Sequence, residues 1–569
     1  MGQAGASTDG GFELISARLG ALPVVNHFLA RAGIPALLER HVPTDARYRL
    51  PPATALGLVV ANLLIGREPL YGLGQWTARH DPASLGLSGG QGELVNDDRV
   101  GRALERLFDA DRASLLTELI LGVITEFGVD TAELHNDSTS ITVSGVYRDA
   151  VGTPRGGKPT PVITYGHSKD HRPDLKQLVW ILTVAADGAV PIAYRLADGN
   201  TNDDPTHVPT WDGLVALLGH PDFLYVADSK LCSRQAMGHI AARGGRFLTV
   251  LPRTRTEDRW FRDRIQTNPP RWTEALRLPP ARLGEADQVY STFPSPMPSA
   301  EGHRIIWVHS SAKAARDAAS RSARTQAGIA ALEALTTRLA GPKCRLKDRL
   351  AVTEAATAAL DAAGAGRWVK ATVTETIEET YRQERRGRPG TDTRYRRATR
   401  TRFTLTWDID LAAIAYDAAG DGCFPLISND TTLGEAQLLA AYRYQPNLER
   451  RHHLLKSVQD AAPVLLHSPA RIEALFCCQF LALLIGALIE RQIRTAMATA
   501  NAAKIPLYPE LRGCAAPSTE RIMDIFNDLT RHELRRDGHL VQTFQPELSP
   551  LHHQVLQLLA VPPTNYTSA

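Results

Sequence analysis

At Glu133 the hydrophobic pattern of this chain changes from helical to alternating, and the order of the elements that follow narrows the folds open to it. Upstream, NHFLARAGIPALLERHV, PPATALGLVVANLLI and DDRVGRALERLF place apolar residues at helical spacing between turns, which predicts a small helical domain. Downstream, ELHNDSTSITVSGVY, QLVWILTVAAD and AVPIAYRLA read as three consecutive strands, the last two joined through an Asp187-Gly188 hairpin turn. A helical stretch THVPTWDGLVALLGH, a short apolar strand FLYVAD, a helix SRQAMGHIAARG and a strand RFLTVLP complete the run. Three antiparallel strands followed by strand-helix-strand units predict an α/β fold.

The run is interrupted after Pro252. Up to about Tyr416 the sequence predicts an insertion made of an Ala-rich helical pair and a β-hairpin, RWVKATVTETIEETYRQ and TRYRRATRTRFTLTWDID, linked by the turn-rich RRGRPGTDT. The core is expected to resume at the strand CFPLISND. Thr432 and Glu435 have capping-box spacing, so a helix is expected from there through GEAQLLAAYRYQ, followed by a second, apolar helix RIEALFCCQFLALLIGALIERQI. After Pro506 one amphipathic helix, ERIMDIFNDLTRHELRRDG, and a polar tail are expected. The expected domains are therefore a helical one over 1–128, a core over 129–253 and 417–500, an insertion over 254–416, and a helical C-terminal tail over 501–569.

Composition sets outer limits. At roughly 150 residues per domain, 569 residues hold three or four units. Hydrophobic content of 43% and charged content of 22% are those of a soluble globular protein, and a net charge of +3 is too weakly basic to argue for nucleic acid by itself. Six cysteines without metal-ligand spacing read as reduced thiols. MGQAGASTDGG lacks the basic and apolar regions of a signal peptide, so a cytoplasmic protein is expected. The apolar run Ala474 to Ile489 falls short of the roughly 20 residues of a membrane span, which predicts a buried helix and no membrane partner.

Three acids stand where they can converge. Asp137 lies inside the first strand, Asp228 closes the fourth, and Glu449 sits on the helix after the insertion. A carboxylate inside an apolar strand is costly unless it is used, which favours function for Asp137. Asp228 reads more readily as the cap of the helix that follows it. Tyr442, Glu449 and Lys456 are spaced by sevens and so share a helix face, with Gln445 and His452 near the same line; a solvated face has the same pattern. His452 and His453 are expected to face solvent. In SKDHRPDLKQ, Asp170 and Asp174 are expected to pair with Lys169, Arg172 and Lys176, and Asp203 and Asp204 to act as loop or supporting residues. On the hairpin, Arg394, Arg396, Arg400 and Arg402 alternate onto one face, suited to phosphate or simply solvated.

YGHSKDHRPDLKQL (Tyr165 to Leu178), DGNTND (Asp198 to Asp203), and YRYQPNLERRHHLLKS with the following RIEAL resemble transposases of the insertion-sequence-four superfamily, and the similarity spans nearly the whole chain. That group carries its third acid in a Tyr-x2-Arg-x3-Glu-x6-Lys signature, and the element order from Glu133 is that of its ribonuclease-H-like core. The resemblance implies a DDE transposase of a bacterial insertion sequence. Asp137 would bridge two Mg²⁺ or Mn²⁺ ions, Asp228 and Glu449 would each hold one, and Tyr442, Arg443, Gln445 and Lys456 would contact DNA. Water would cut the transposon end to leave a 3′-hydroxyl, which would then attack target DNA. The implied partners are the terminal inverted repeats, the target duplex and a second copy of the chain, at the bacterial nucleoid. The sequence departs from the signature at Gln445, which stands where the arginine belongs and leaves Arg443 or Arg450 to supply the charge. It departs again at Pro446, which removes a backbone bond to Tyr442, so the helix should kink or restart there. The rival readings are a nuclease that only hydrolyses and a DNA-binding protein without catalysis.

Overall fold

The computed structural model describes residues 11–45, 47–88, 90–148, 150–280, 284, 286–341, 344–459 and 466–567. The N-terminal decapeptide on which the signal-peptide expectation rests lies outside them. The chain divides into two compact units, Met1–Thr249 with Ala440–Ala569, and Val250–Leu439.

The first unit contains β1 (Phe12–Arg18), β2 (Glu133–Val143), β3 (Lys176–Ala185), β4 (Pro191–Ala197), β5 (Leu224–Ala227) and β6 (Arg246–Val250). Strands β2 to β6 are ordered β4-β3-β2-β5-β6. β2 runs antiparallel to β3, and β3 to β4, whereas β2, β5 and β6 are parallel. Parallel neighbours need crossovers, and the helices His207–Leu218 and Arg234–Ala242 supply them. The result is a mixed α/β sheet in which β2 and β3 are almost wholly buried. In the β3–β4 turn Gly188 has φ +77°, and an added Cβ would meet the Arg491 side chain at 2.9 Å, so both conformation and space call for glycine there.

The helix Pro469–Thr499 is the centre of this unit. It is long and apolar enough to cross a membrane by length and composition, yet 89% of its most apolar window is buried inside the fold. It packs on β4 and on the helices Pro52–Leu64 and Asp97–Asp109. Trp180, Tyr194, Phe476 and Phe480 form a contiguous aromatic layer beneath the sheet, with ring centroids 4.6–5.5 Å apart.

The second unit contains β7 (Thr273–Leu278), β8 (Gln288–Pro294), β9 (Arg304–Ser310), β10 (Val369–Gln383), β11 (Tyr395–Ile409) and β12 (Cys423–Ser428). The expected Ala-rich pair forms as Ser311–Ala340 and Arg349–Ala362, and the expected hairpin as β10–β11. Leu332, Leu335, Val352, Leu360, Val369, Val373, Phe403 and Leu405 bind the base of the hairpin to both helices. Strands β7, β8 and β9 are not expected from the sequence, and they continue antiparallel from β12 in the order β12-β9-β8-β7. Thr432 is not a helix cap. Its amide and hydroxyl donate to Asp430 Oδ1 at 2.7 and 2.9 Å, and the next helix spans Glu435–Tyr442.

The expected C-terminal helical tail is corrected. The helix there stops at Asp524 (Thr519–Asp524), and the chain continues as β13 (Thr530–Arg536) and β14 (His539–Phe544), which form a three-stranded sheet with β1 in the order β1-β13-β14. Asp537 and Gly538 both have positive φ (50° and 81°), the conformation of a tight hairpin turn, and this breaks the helical pattern of RHELRRDG.

Candidate functional site

The register of two parallel strands sets the first two acids side by side. Asn136 pairs with Ala227, so the next residues, Asp137 on β2 and Asp228 just past β5, follow the same sheet edge. Asp228 caps the turn after β5: its Oδ1 accepts the Lys230 amide at 3.1 Å, while its carbonyl accepts the Thr249 hydroxyl at 2.5 Å. A cap is worth about 1 kcal/mol, which accounts for Asp228 without function. Asp137 stands inside a strand and caps no helix or turn. Burial pushes its carboxyl up to about 6; Lys169 and the Ser138 amide work against that rise, and the nearby Asp228 and Asp203 add to it.

Lys169 enters the site instead of pairing within its own loop. Its Nζ lies 3.8 Å from Asp137 Oδ1 and 3.2 Å from Asp203 Oδ2, and it donates to the Ser138 carbonyl and hydroxyl at 2.6 and 2.7 Å. The Ser138 hydroxyl donates to Asp203 at 2.5 Å. Burial works to raise the Asp203 carboxyl, but the Ser138 hydroxyl and the Lys169 ammonium more than offset it, and it lies below its ordinary value. Asp203 and Lys169 thus form an ion pair flanking Asp137.

Glu449 is exposed on the helix Gln445–His453. The preceding helix ends at Tyr442 and the new one starts with Pro446 in its first turn, where the missing N–H costs least, so the restart expected from the sequence is present. Leu454–Val458, which carries Lys456, is a π turn. Tyr442, Glu449 and Lys456 therefore lie on three successive pieces of helix and not along one straight face. The Tyr442 phenol is nonetheless the point where the fields of the acids meet: burial first, then Asp228, Glu449 and Asp137, push it up to about 12.

A buried ion network anchors this segment. Arg451 Nη1 lies 3.0 Å from Glu490 Oε2, and the two side chains are 3% and 1% exposed. Arg451 also donates to the carbonyls of Gly188 and Ala189 at 2.9 and 3.0 Å, which fastens the Glu449 helix to the β3–β4 turn.

Other residues singled out from the sequence fall differently. Lys456 is ion-paired with Asp170 at 2.7 Å, and Arg172 takes Asp174. Gln445 Oε1 is buried without a hydrogen-bond partner, and Arg443 is half-buried beside it in sequence. Arg394, Arg396 and Arg400 belong to the second unit, on the exposed part of the hairpin, where Arg402 meets Glu378 at 2.5 Å and Arg397 meets Glu379.

His452, expected to face solvent, is buried. Its Nε2 lies 3.7 Å from Asp137 Oδ2, and burial, followed by Lys169 and Lys456, pushes the imidazole down to about 3. Leu448, His452 and Leu455 recur at helical spacing and are all buried, so the apolar stripe through this segment is the signal that places it inside. His453 is exposed as expected.

Among the described residues no three His, Cys, Asp or Glu side chains are gathered closely enough to hold a cation. The donor chemistry still fits one. Asp137 and Asp228 offer adjacent carboxylates, and the like charges that raise Asp137 would be neutralised by a hard divalent ion.

A family described as a domain of unknown function, DUF4277, matches residues 14–121. No curated protein matches. Among solved structures, a piggyBac transposase in a synaptic complex with hairpin DNA is 9% identical, with 89% of this chain and 78% of that chain covered at a TM-score of 0.35.

Proposed function

We propose that this chain is a DDE transposase of the bacterial insertion-sequence kind, which cuts transposon ends and transfers the resulting 3′-hydroxyls into target DNA. The observation that carries the proposal is the pair Asp137 and Asp228, brought together by the β2–β5 register, with Glu449 close enough for all three to act on one phenol. The strand order β4-β3-β2-β5-β6, with three antiparallel strands and then two parallel ones, supports a ribonuclease-H-like core. The motifs around Lys169, Asp203 and Glu449 that resemble the superfamily all fall in this unit.

Asp137, Asp228 and Glu449 would hold two Mg²⁺ or Mn²⁺ ions. Such ions activate the attacking oxygen and neutralise charge on the phosphate. The chain's own groups do the rest. Tyr442, its phenol held protonated by burial and then by the surrounding carboxylates, donates to a phosphate oxygen. Lys169 keeps Asp203 ionised and balances Asp137. The Gln445 carbonyl, buried and unpaired, accepts a donor from the DNA strand or from its ordered water. Lys456 reaches DNA only by leaving Asp170, and Arg443 supplies charge close by. Arg394, Arg396 and Arg400 grip backbone phosphates without reading bases. Two ends must be joined, so the working form is a homodimer on DNA, at the nucleoid.

Purified protein with paired terminal repeats and Mg²⁺ or Mn²⁺ tests this. Nicked ends bearing 3′-hydroxyls and joined products are expected. Cleavage without joining would reduce the protein to a nuclease, and binding without either would leave a DNA-binding protein.

A further inference from the structure

Two imidazoles stand at the aspartate pair, one beside each carboxylate. His207 opens the helix His207–Leu218, and its Nδ1 meets the Tyr225 hydroxyl at 3.2 Å. Its Nε2, 4.0 Å from Asp228 Oδ1, is buried and makes no hydrogen bond. His452 comes from a different element, the helix that carries Glu449. Its Nε2 is 3.7 Å from Asp137 Oδ2, and although the Asp137 carbonyl is near the ring, neither nitrogen completes a hydrogen bond. His207 and His452 are 2% and 7% exposed. Buried polar atoms are almost always satisfied in native structures, so two orphaned nitrogens aimed at two neighbouring carboxylates mark a place where something else binds.

We infer, on the cation-dependent reading of the site given above, that His452 joins Asp137 and His207 joins Asp228 as ligands. Each divalent ion then takes one imidazole nitrogen as well as carboxylate oxygen from the chain. The spacing suits this. An ion with bonds of about 2.1 Å separates adjacent donors by roughly 3.0 Å, and the pairs at 3.7 and 4.0 Å need to close by about 1 Å or less to reach that. Few protein donors per ion is the usual arrangement for cations that also bind substrate phosphates and water. The tautomer in which His207 Nδ1–H donates to the Tyr225 oxygen puts the lone pair on Nε2, as for metal-bound histidines held by a second hydrogen bond. Nitrogen donors shift preference away from Mg²⁺ toward Mn²⁺ and the later first-row ions.

The test is Mn²⁺ titrated into the full chain, alone and with a DNA duplex, with bound ion counted by electron paramagnetic resonance and its neighbours read by pulsed measurement. Bound Mn²⁺ is expected to show ¹⁴N modulation that changes to ¹⁵N frequencies when the histidines are ¹⁵N-labelled. The modulation should weaken in His452→Ala and in His207→Ala and vanish in the double variant, and each single variant should bind Mn²⁺ about tenfold more weakly. Because the labelled wild type is decisive by itself, a variant that misfolds does not spoil the test. Bound Mn²⁺ with no nitrogen coupling overturns the histidine ligands and leaves the carboxylate site standing. No bound Mn²⁺ in the folded protein overturns both.

Discussion

The charged groups around Asp137 in the first unit and those of the β10–β11 hairpin in the second live in different surroundings. In the first unit Asp137, Asp203 and His452 are partly or wholly buried, and together with the more exposed Lys169, which bonds to the Ser138 carbonyl, they perturb one another. In the second unit the arginines of β11 stand in solvent and pair at most with a glutamate across the hairpin. Charges of the first kind change what a neighbouring atom can do, because desolvation magnifies each interaction. Charges of the second kind add attraction that salt screens and that any polyanion satisfies.

Substitutions separate these two kinds of charge, and the largest effect is expected at the acids. Asp137→Asn, Asp228→Asn and Glu449→Gln should each lower end cleavage by about 10⁴-fold or more, as for residues that act as a unit, while gel-shift affinity for DNA stays near wild type. Normal cutting by any one of them removes that residue from the site. Next, Arg451→Met should destabilise the first unit by up to about 3 kcal/mol in urea unfolding, since it removes the nearest partner of the buried Glu490 and leaves only Arg494 and Arg450, at 3.3 and 3.6 Å, to balance it. Adding Glu490→Met should recover much of that loss, and no recovery would mean that the bonds from Arg451 to Gly188 and Ala189 matter more than the ion pair.

Asp137 gives a smaller effect with a definite sign. Its carboxyl is raised from 3.8 to about 6, so it is more easily protonated in the folded chain than in the unfolded one. Ionised Asp137 therefore opposes folding: the penalty is absent below pH 4, grows as pH rises through 4 to 6, and is complete above that. Asp137→Asn should raise stability at neutral pH by up to about 3 kcal/mol, the linkage value of such a shift, and the gain should vanish as pH falls toward 4. A gain independent of pH would show that the carboxylate is not strained. The smallest effect per residue is expected on the hairpin. Arg394→Ala, Arg396→Ala and Arg400→Ala together should weaken binding to all DNA sequences alike and flatten the log-log salt dependence by about 0.9 for each phosphate no longer neutralised. Weakening confined to one sequence would mean base readout.

The same contrast explains which features are legible in the sequence. Strands β2 to β6 and the hairpin β10–β11 are readable because each run alternates locally and is bounded by turn residues, and the restart at Pro446 follows from one missing N–H. The sheet β1-β13-β14 is not readable, because it pairs residues about 500 positions apart and RHELRRDG also fits a helix. In the site, Asp137 is visible as a charge in an apolar strand. Lys169 and the Lys456–Asp170 pair depend on how loops fold back, which local pattern does not encode. His452 is readable in principle from the Leu448 and Leu455 spacing, but neighbouring arginines and histidines mask that stripe.

Asp137, Asp228 and Glu449 are proposed to form one cation-dependent site for DNA strand transfer. The most direct test supplies terminal-repeat duplexes already cut to bear 3′-hydroxyls, with a target plasmid and Mn²⁺, and compares wild type with Asp137→Asn. Joined product from the wild type and none from the variant, with equal DNA binding by both, is the predicted result; equal joining by both proteins would contradict the account.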